Sequence, residues 1–235
     1  MNKNQPELLL NNTLEDWQKK KFSLPKNTIR VGTLFSGIGA IEHALERLKL
    51  NNEIVFACDN DLAVKKSYFA NYKITEDKWH DDVSKLNAKK YKYKVDLLVG
   101  GSPCQSFSMV GKRGGLEDTR GTLFYDFARI ISECKPKVFI FENVKGLLSH
   151  DEGKTWKTIK NTFSDLGYYF SDPEVLNAKH FGIPQNRNRV FVIGFRKKKW
   201  NADFSYPRRI ELGSRMQDYL EDYVDSQFYL KEKGV

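Results

Sequence analysis

The chain has 235 residues, enough for one large domain with a core of its own, and a formal net charge of +9 that favours a polyanionic partner. It has no run of eighteen apolar residues, and residues 1–21 are too polar for a secretory signal, so neither a membrane span nor a leader is expected. The three cysteines, Cys58, Cys104 and Cys134, lack C-x-x-C spacing; a disulfide framework and a metal site are not expected, and a reducing cytoplasm fits.

Residues 1–28 read as an N-terminal extension, in which 8–20 form a short helix with Leu10, Leu14 and Trp17 on one face, or a loosely docked arm. Residues 29–35 read as a first strand, 36–40 (SGIGA) as a tight turn, and 41–50 as a helix with Ile41, Leu45 and Leu48 at helical spacing. Glycines at such a turn let backbone N–H groups and a helix N-terminus approach a ligand. The dinucleotide fingerprint is incomplete, because Glu42 stands where its third glycine belongs. A second strand, 54–58, ends in Asp59-Asn60-Asp61. A carboxylate about twenty residues past the glycines suits ribose hydroxyls, and an aspartate there equally suits a helix N-cap. Residues 63–72 read as a helix, and His80-Asp81-Asp82-Val83 closes a short strand. Asp82 suits either an adenine amino group or a turn cap.

Residues 95–99 (VDLLV) read as a buried strand and 100–108 (GGSPCQSFS) as the loop after it. The two glycines permit a sharp turn, and Pro103 stiffens the approach to Cys104. A free cysteine is most often a buried structural thiol, whereas a stiff polar loop at the carboxyl end of a parallel strand points to a nucleophile. Residues 109–121 are polar and glycine-rich, with Lys112, Arg113 and Arg120 able to meet phosphates. Residues 122–134 read as a helix whose apolar stripe, Leu123, Phe127, Ile130, Ile131 and Cys134, places Cys134 in the core. Residues 138–141 make another buried strand, ending in Glu142-Asn143-Val144. A helix at 155–166 and strands at 168–176 and 190–195 follow, the last led by Gln185-Asn186-Arg187-Asn188-Arg189. Basic groups at 196–199 and 208–209 offer a salt-sensitive attraction to DNA, and 216–224 reads as a helix.

The β-α alternation predicts an α/β fold with a doubly wound, mostly parallel sheet. In such a sheet the strand ends at Phe35, Asp59, Gly100 and Glu142 share one edge. A thiolate beside a carboxylic acid suits covalent attack on an electron-poor ring, the acid protonating the ring atom that gains charge.

These residues carry a resemblance. Residues 35–39 (FSGIG), 101–106 (GSPCQS), 142–144 (ENV) and Q-x-R-x-R at 185–189 are similar, in order and spacing, to the motifs of cytosine-5 DNA methyltransferases of bacterial restriction–modification systems, over roughly 29–230. The resemblance implies a Rossmann-like, S-adenosylmethionine-dependent methyltransferase fold over 29–235. It implies methyl transfer from S-adenosyl-L-methionine to carbon 5 of a cytosine flipped out of double-stranded DNA. Cys104 is then expected to add to carbon 6 and Glu142 to engage ring N3. Arg187 and Arg189 are expected to orient Glu142 and the cytosine carbonyl. Phe35, Ser36, Gly37, Gly39, Asp59, Asn60, Asp82, Val83, Ser102, Pro103 and Leu123 are expected on the cofactor. Gln105, Ser108, Asn143 and Gln185 are expected on the substrate side, Asn143 chiefly as support for the loop at Pro103 and Cys104. Family members continue into a target-recognition domain near the position of residues 229–235, so the chain reads as one subunit of a split enzyme, with a second polypeptide carrying that domain expected as a partner, or as a truncated product. A tRNA cytosine-5 methyltransferase shares the motifs, and a non-catalytic DNA-binding module is the reading from another class.

Overall fold

A computed structural model describes residues 28–103 and 123–229 of the chain. The expected helix at 8–20 and the candidate residues Cys104, Gln105 and Ser108 lie outside the described residues, as do Lys112, Arg113 and Arg120. Strands β1 (Ile29–Leu34), β2 (Asn52–Cys58), β3 (Trp79–His80), β4 (Leu97–Gly100) and β5 (Val138–Val144) pair in parallel. Helices α1 (Ala40–Arg47), α2 (Leu62–Asn71) and α3 (Leu123–Cys134) lie between them in sequence, and α4 (Lys154–Asp165) follows β5. Then β6 (Tyr169–Phe170), β7 (Glu174–Asn177) and β8 (Asn188–Phe195) join the same sheet, and α5 (Lys198–Ala202) follows β8. The strand order is β3-β2-β1-β4-β5-β8-β6, with β7 also on β8.

The sheet is doubly wound because residues on successive strand positions bury opposite faces. Phe56 and Cys58 of β2 enter one apolar cluster, whereas Ala57 between them enters another with Tyr68 and Trp79. Helix α3 covers the first face with Phe124, Phe127, Ile130, Ile131 and Cys134, all buried. Their rings meet β5 and α4: Phe127 and Phe141 have centroids 5.5 Å apart, Phe139 and Phe163 4.7 Å. Each such buried ring contributes roughly 1.5–3 kcal/mol of transfer free energy. Helix α2 covers the other face through Tyr68, 5.2 Å from Trp79.

Three expectations are corrected. Residues 168–176 do not make one strand: Ser171-Asp172-Pro173 separates β6 from β7, and Pro173 brings no N–H to a ladder. Ser171 still holds β8, its N–H donating to the Ile193 carbonyl at 3.0 Å. The expected helix at 216–224 is a single 3-10 turn, Met216–Tyr219. Leu220 and Tyr223 are exposed, so no apolar contact supports a longer helix. The last strand, β8, starts at Asn188 and runs antiparallel to β5.

A charge cluster ties the start of the sheet together. The half-buried Asp96 accepts from the Arg30 guanidinium at 3.0 Å and lies 2.7 Å from Lys137 Nζ. Burial acts to raise its pKa, but the hydrogen bonds from Arg30 and Lys137 prevail and hold the carboxyl well below the usual range. Because the folded value is depressed, this contribution is present above the ordinary carboxylate range and is lost as pH falls through the folded value. Asp96→Ala is expected to destabilise the fold by about 2 kcal/mol, the scale of a charged hydrogen bond. Urea unfolding at neutral pH measures it, and an unchanged midpoint would show the cluster to be inert.

Candidate active site

The chain order reverses direction in the sheet between β1 and β4, because β1 leads to β2 and β3 on one side and β4 leads to β5 on the other. Ligands of open α/β sheets sit in the crevice outside the carboxyl ends at such a switch point. The registers align those ends: Leu34 with Cys58 and Gly100, Cys58 with His80, and Gly100 with Phe141. Phe35, Asp59, Asp81, Gly101 and Glu142 therefore begin at one edge.

A cavity of about 410 Å³ opens there, a size typical of small-molecule sites. Phe35, Cys58, Val83, Pro103 and Leu123 give it apolar walls, and Asp59, Asn60, Asp81 and Asp82 give it polar ones. Three carboxylates in one cavity of a chain with net charge +9 suit a cationic ligand.

The turn after β1 is fixed by short contacts. Ser36 Oγ accepts from Cys58 N at 3.0 Å and lies 2.9 Å from Thr33 Oγ1. Thr33 in turn donates to the buried Glu42, as does the Tyr68 hydroxyl at 2.6 Å. Glu42, the residue that broke the glycine fingerprint, thus clamps α1 onto β1 and α2. Gly39 has φ +86 and packs on Tyr72, whose hydroxyl donates to the Gly39 carbonyl at 2.7 Å. A side chain there would meet both the left-handed backbone and the Tyr72 ring.

Asp59 is no helix cap; Asp61 caps α2, accepting from Ala63 N and Val64 N. Instead Asp59 Oδ2 accepts from Gly37 N at 2.9 Å and Oδ1 from Asp61 N at 3.1 Å. Each oxygen keeps acceptor capacity on the cavity side, which suits a vicinal diol. Asp82 both lines the cavity and caps a turn, its Oδ1 accepting from Ser84 N and Ser84 Oγ. Ser36, Gly37, Gly39 and Ser102 are not among the residues that line this cavity. Ser102 is buried, and its Oγ has no hydrogen-bond partner among the described residues.

The second half of the site joins β5, β8 and the loop after β4. Glu142 lies opposite Phe191, so Arg189, two residues away on the antiparallel β8, is its diagonal neighbour on the same face. Arg189 Nε is 2.9 Å from Glu142 Oε1. Burial pushes the Glu142 carboxyl above the usual range, and the charges of Arg189 and Arg187 oppose that rise without cancelling it. A Cβ on Gly101 would stand 2.9 Å from the Glu142 backbone carbonyl oxygen and 2.6 Å from its Oε2, so a side chain there would force the loop backbone away from β5. Behind it the buried Asn143 donates to the Ser102 carbonyl at 2.8 Å. Pro103, the last described residue before Cys104, therefore sits between the cavity and Glu142's strand. Gln185 and Arg187 are exposed at the same edge, joined by a bond from Arg187 N to the Gln185 carbonyl.

Two residues here escaped the sequence reading. Asn177 is buried and holds the whole Gln185–Arg189 stretch: its Nδ2 donates to Asn186 and Asn188, and its Oδ1 accepts from Arg187 N. The only local signal was an asparagine closing an apolar strand. Asp81 lines the cavity while accepting from Trp79 Nε1 at 2.8 Å. Of the expected DNA-attracting groups, 208–209 stay near this edge, since Ile210 N donates to the His180 carbonyl just beyond β7. Residues 196–199 do not, because β8 carries them to the opposite edge.

Residues 29–235 match the family model of C-5 cytosine-specific DNA methylases. The chain is 41% identical over 232 residues to the orphan methyltransferase M.SPRI of Bacillus phage SPR, covering 87% of this chain and 52% of that protein. It is 43% identical over 205 residues to the type II methyltransferase M.HpaII of Haemophilus parainfluenzae, covering 86% and 56%. The chain thus spans about half the length of these relatives. A solved prophage-encoded E. coli chain, described as a DNA modification methyltransferase, superposes with TM-score 0.65 at 30% identity, covering 84% of this chain and 57% of that one. The S. pombe Dnmt2 methyltransferase shares the fold, with TM-score 0.62 at 23% identity over 86% of this chain and 63% of its own. The motifs, the sheet order and these matches agree: the chain belongs to the C-5 cytosine-specific DNA methylase family.

Proposed function

We propose that this chain is the catalytic part of a DNA cytosine-5 methyltransferase acting in modification of duplex DNA. The supporting observation is the Glu142–Arg189 pair at 2.9 Å, set beside the loop that leads to Cys104 and at the same sheet edge as the acidic cavity. Bound S-adenosylmethionine supplies an electrophilic methyl group on a sulfonium. The cavity's carboxylates complement that positive charge, Asp59 holds the ribose diol, and the apolar wall of Phe35, Val83, Pro103 and Leu123 takes the flat base. Asp59→Ala should weaken S-adenosylmethionine binding about 10- to 100-fold, the scale of charged hydrogen bonds. Calorimetric titration reads this, and unchanged affinity would remove Asp59 from the site.

On the other side of the loop, a flipped cytosine meets Glu142 and Arg189. Cys104 adds to carbon 6 while Glu142 gives its proton to ring N3, so that carbon 5 becomes nucleophilic. The raised affinity of Glu142 for its proton serves this role, and Arg189 keeps the carboxyl aimed. Carbon 5 takes the methyl group and the sulfonium leaves as a neutral thioether; N3 returns its proton to the Glu142 carboxylate, and loss of the carbon 5 proton to water expels the Cys104 thiolate and restores the ring. Reading of the DNA sequence falls to the half of the relatives that this chain does not match, whether carried on the same polypeptide or on a second one. Specificity needs base-edge contacts, which phosphate-binding groups cannot replace.

Duplex DNA carrying 5-fluorocytosine is the test, because fluorine at carbon 5 cannot leave and the adduct persists. The chain of residues 1–235 is expected to trap little adduct alone, and much more when the part of M.HpaII that this chain does not match is added in trans. Trapping on tRNA and not on duplex DNA would move the substrate to RNA. Intact DNA binding with no adduct in either mixture would make the chain a binding module.

A further inference from the structure

The edge of the sheet opposite the cavity carries a concentration of positive charge that the proposed reaction does not use. It forms where β1 and β4 begin, where β5 begins, and where the antiparallel β8 ends, since Val138 pairs with Phe195 and Val31 with Leu97. Tyr93 is its centre. The residue is 55% exposed, with Arg196 Cζ 5.3 Å and Lys92 Nζ 5.6 Å from its ring centroid. Its backbone is tied on both sides, N–H to the Cys134 carbonyl at 2.8 Å and carbonyl to Arg30 Nη2 at 3.2 Å. Tyr93 has φ +59, a conformation strained for a residue with a Cβ, so the surrounding bonds hold an exposed aromatic in place against its own preference. Arg196 Nη1 donates to the Lys135 carbonyl at 2.7 Å, which packs the ends of α3 and β8 together.

The charges divide into two sets. Arg30 and Lys137 are spent on Asp96. Lys92, Lys135, Arg196 and residues 197–199 make no ion pair among the described residues, and all but Arg196 are exposed. An ordinary solvated face intersperses both signs; here six cations without an ion pair among the described residues stand beside the neutralised Asp96, with Glu53 taken up by Lys78 and Asp203 the exposed acid next to Lys199. Lysine, arginine and a tyrosine hydroxyl held on rigid backbone are the groups that grip nucleic-acid phosphates.

We infer that this edge is a second DNA-binding surface, which holds the phosphate backbone of duplex DNA away from the catalytic cleft. The choice of DNA as the polyanion rests on the proposed function; the surface itself does not. A duplex tethered on the far edge would keep the chain on DNA between target encounters, without reading sequence.

The test uses the full chain and a duplex of about 30 base pairs made of A·T pairs alone, which offers the cleft no cytosine. Replacing Lys92, Lys135, Lys197 and Lys198 together by glutamine should lower the slope of log affinity against log salt by about 0.9 for each phosphate that is no longer neutralised. The same four positions changed to arginine should restore the slope, and S-adenosylmethionine binding should be unchanged in both variants. On the unmodified chain, DNA should protect Lys92 and Lys135 from acetylation. An unchanged slope in the glutamine variant, with no protection, would overturn the inference. Methyl transfer to a cytosine-containing duplex, measured on the same proteins with the unmatched part of M.HpaII added in trans, separates the two claims: transfer with an unchanged slope sinks the second surface alone, and a lowered slope without transfer sinks the catalytic reading alone.

Discussion

Methyl transfer by the Cys104→Ser chain is expected to fall by on the order of 10⁴-fold or more, with S-adenosylmethionine binding nearly unchanged. A thiol near its ordinary pKa is already a few per cent ionised at neutral pH and is intrinsically a strong nucleophile, whereas a serine hydroxyl needs a dedicated base. No other thiol can take over. Cys58 and Cys134 are both buried, and burial pushes each up to about 12. The cavity is lined by residues at the ends of β1, β2 and β3 with Pro103 and Leu123, so the loss at Cys104 removes none of its lining side chains. Cys134→Ala, a change in the core, should by contrast retain transfer in the folded fraction. The measurement is incorporation of labelled methyl groups into DNA with the complete enzyme. Wild-type transfer by Cys104→Ser would sink the covalent mechanism.

Glu142→Ala is the second large loss, expected at about 10²- to 10⁴-fold in transfer, the usual scale for a general acid. Its companion is Arg189→Ala, which should shift the titration of Glu142. Burial raises the Glu142 carboxyl and Arg189 is the foremost group opposing that rise, so removing the cation should move the carboxyl further upward. Carbon-13 titration of the Glu142 carboxyl reads this directly. If transfer needs the protonated acid, the alkaline limb of the rate profile moves upward with it. The same shift carries a stability sign. A carboxyl whose folded value is raised favours the fold below the ordinary carboxylate range and stops doing so as pH rises through the folded value. The Arg189→Ala chain should therefore hold this contribution to higher pH, while losing the pair itself. A titration that does not move, or moves down, would show that Arg189 does not act on Glu142.

Much of this architecture is present in the order of residues. Apolar runs at 29–35, 54–58, 95–99 and 138–141 are strands because both faces of a parallel sheet are buried, and the period of Phe124, Phe127 and Ile131 makes a helix with one apolar face. The motif residues follow those strands directly, so local pattern alone brings Phe35, Asp59, the Gly101 loop and Glu142 to one edge. What local pattern does not encode is which strand lies beside which, in what direction. Only the antiparallel register of β8 makes Arg189 the neighbour of Glu142, and the same reversal sends 196–199 to the far edge while 208–209 return to the near one. Asn177 and Glu42 show the same limit, since the partners that join separate elements lie nine or more residues away and no period marks them. The apolar spacing at 216–224 had no surface to bury against, and so it made no helix. Periodicity states which face of an element is apolar; the fold decides whether anything meets it, and pairing across the sheet decides which charges meet.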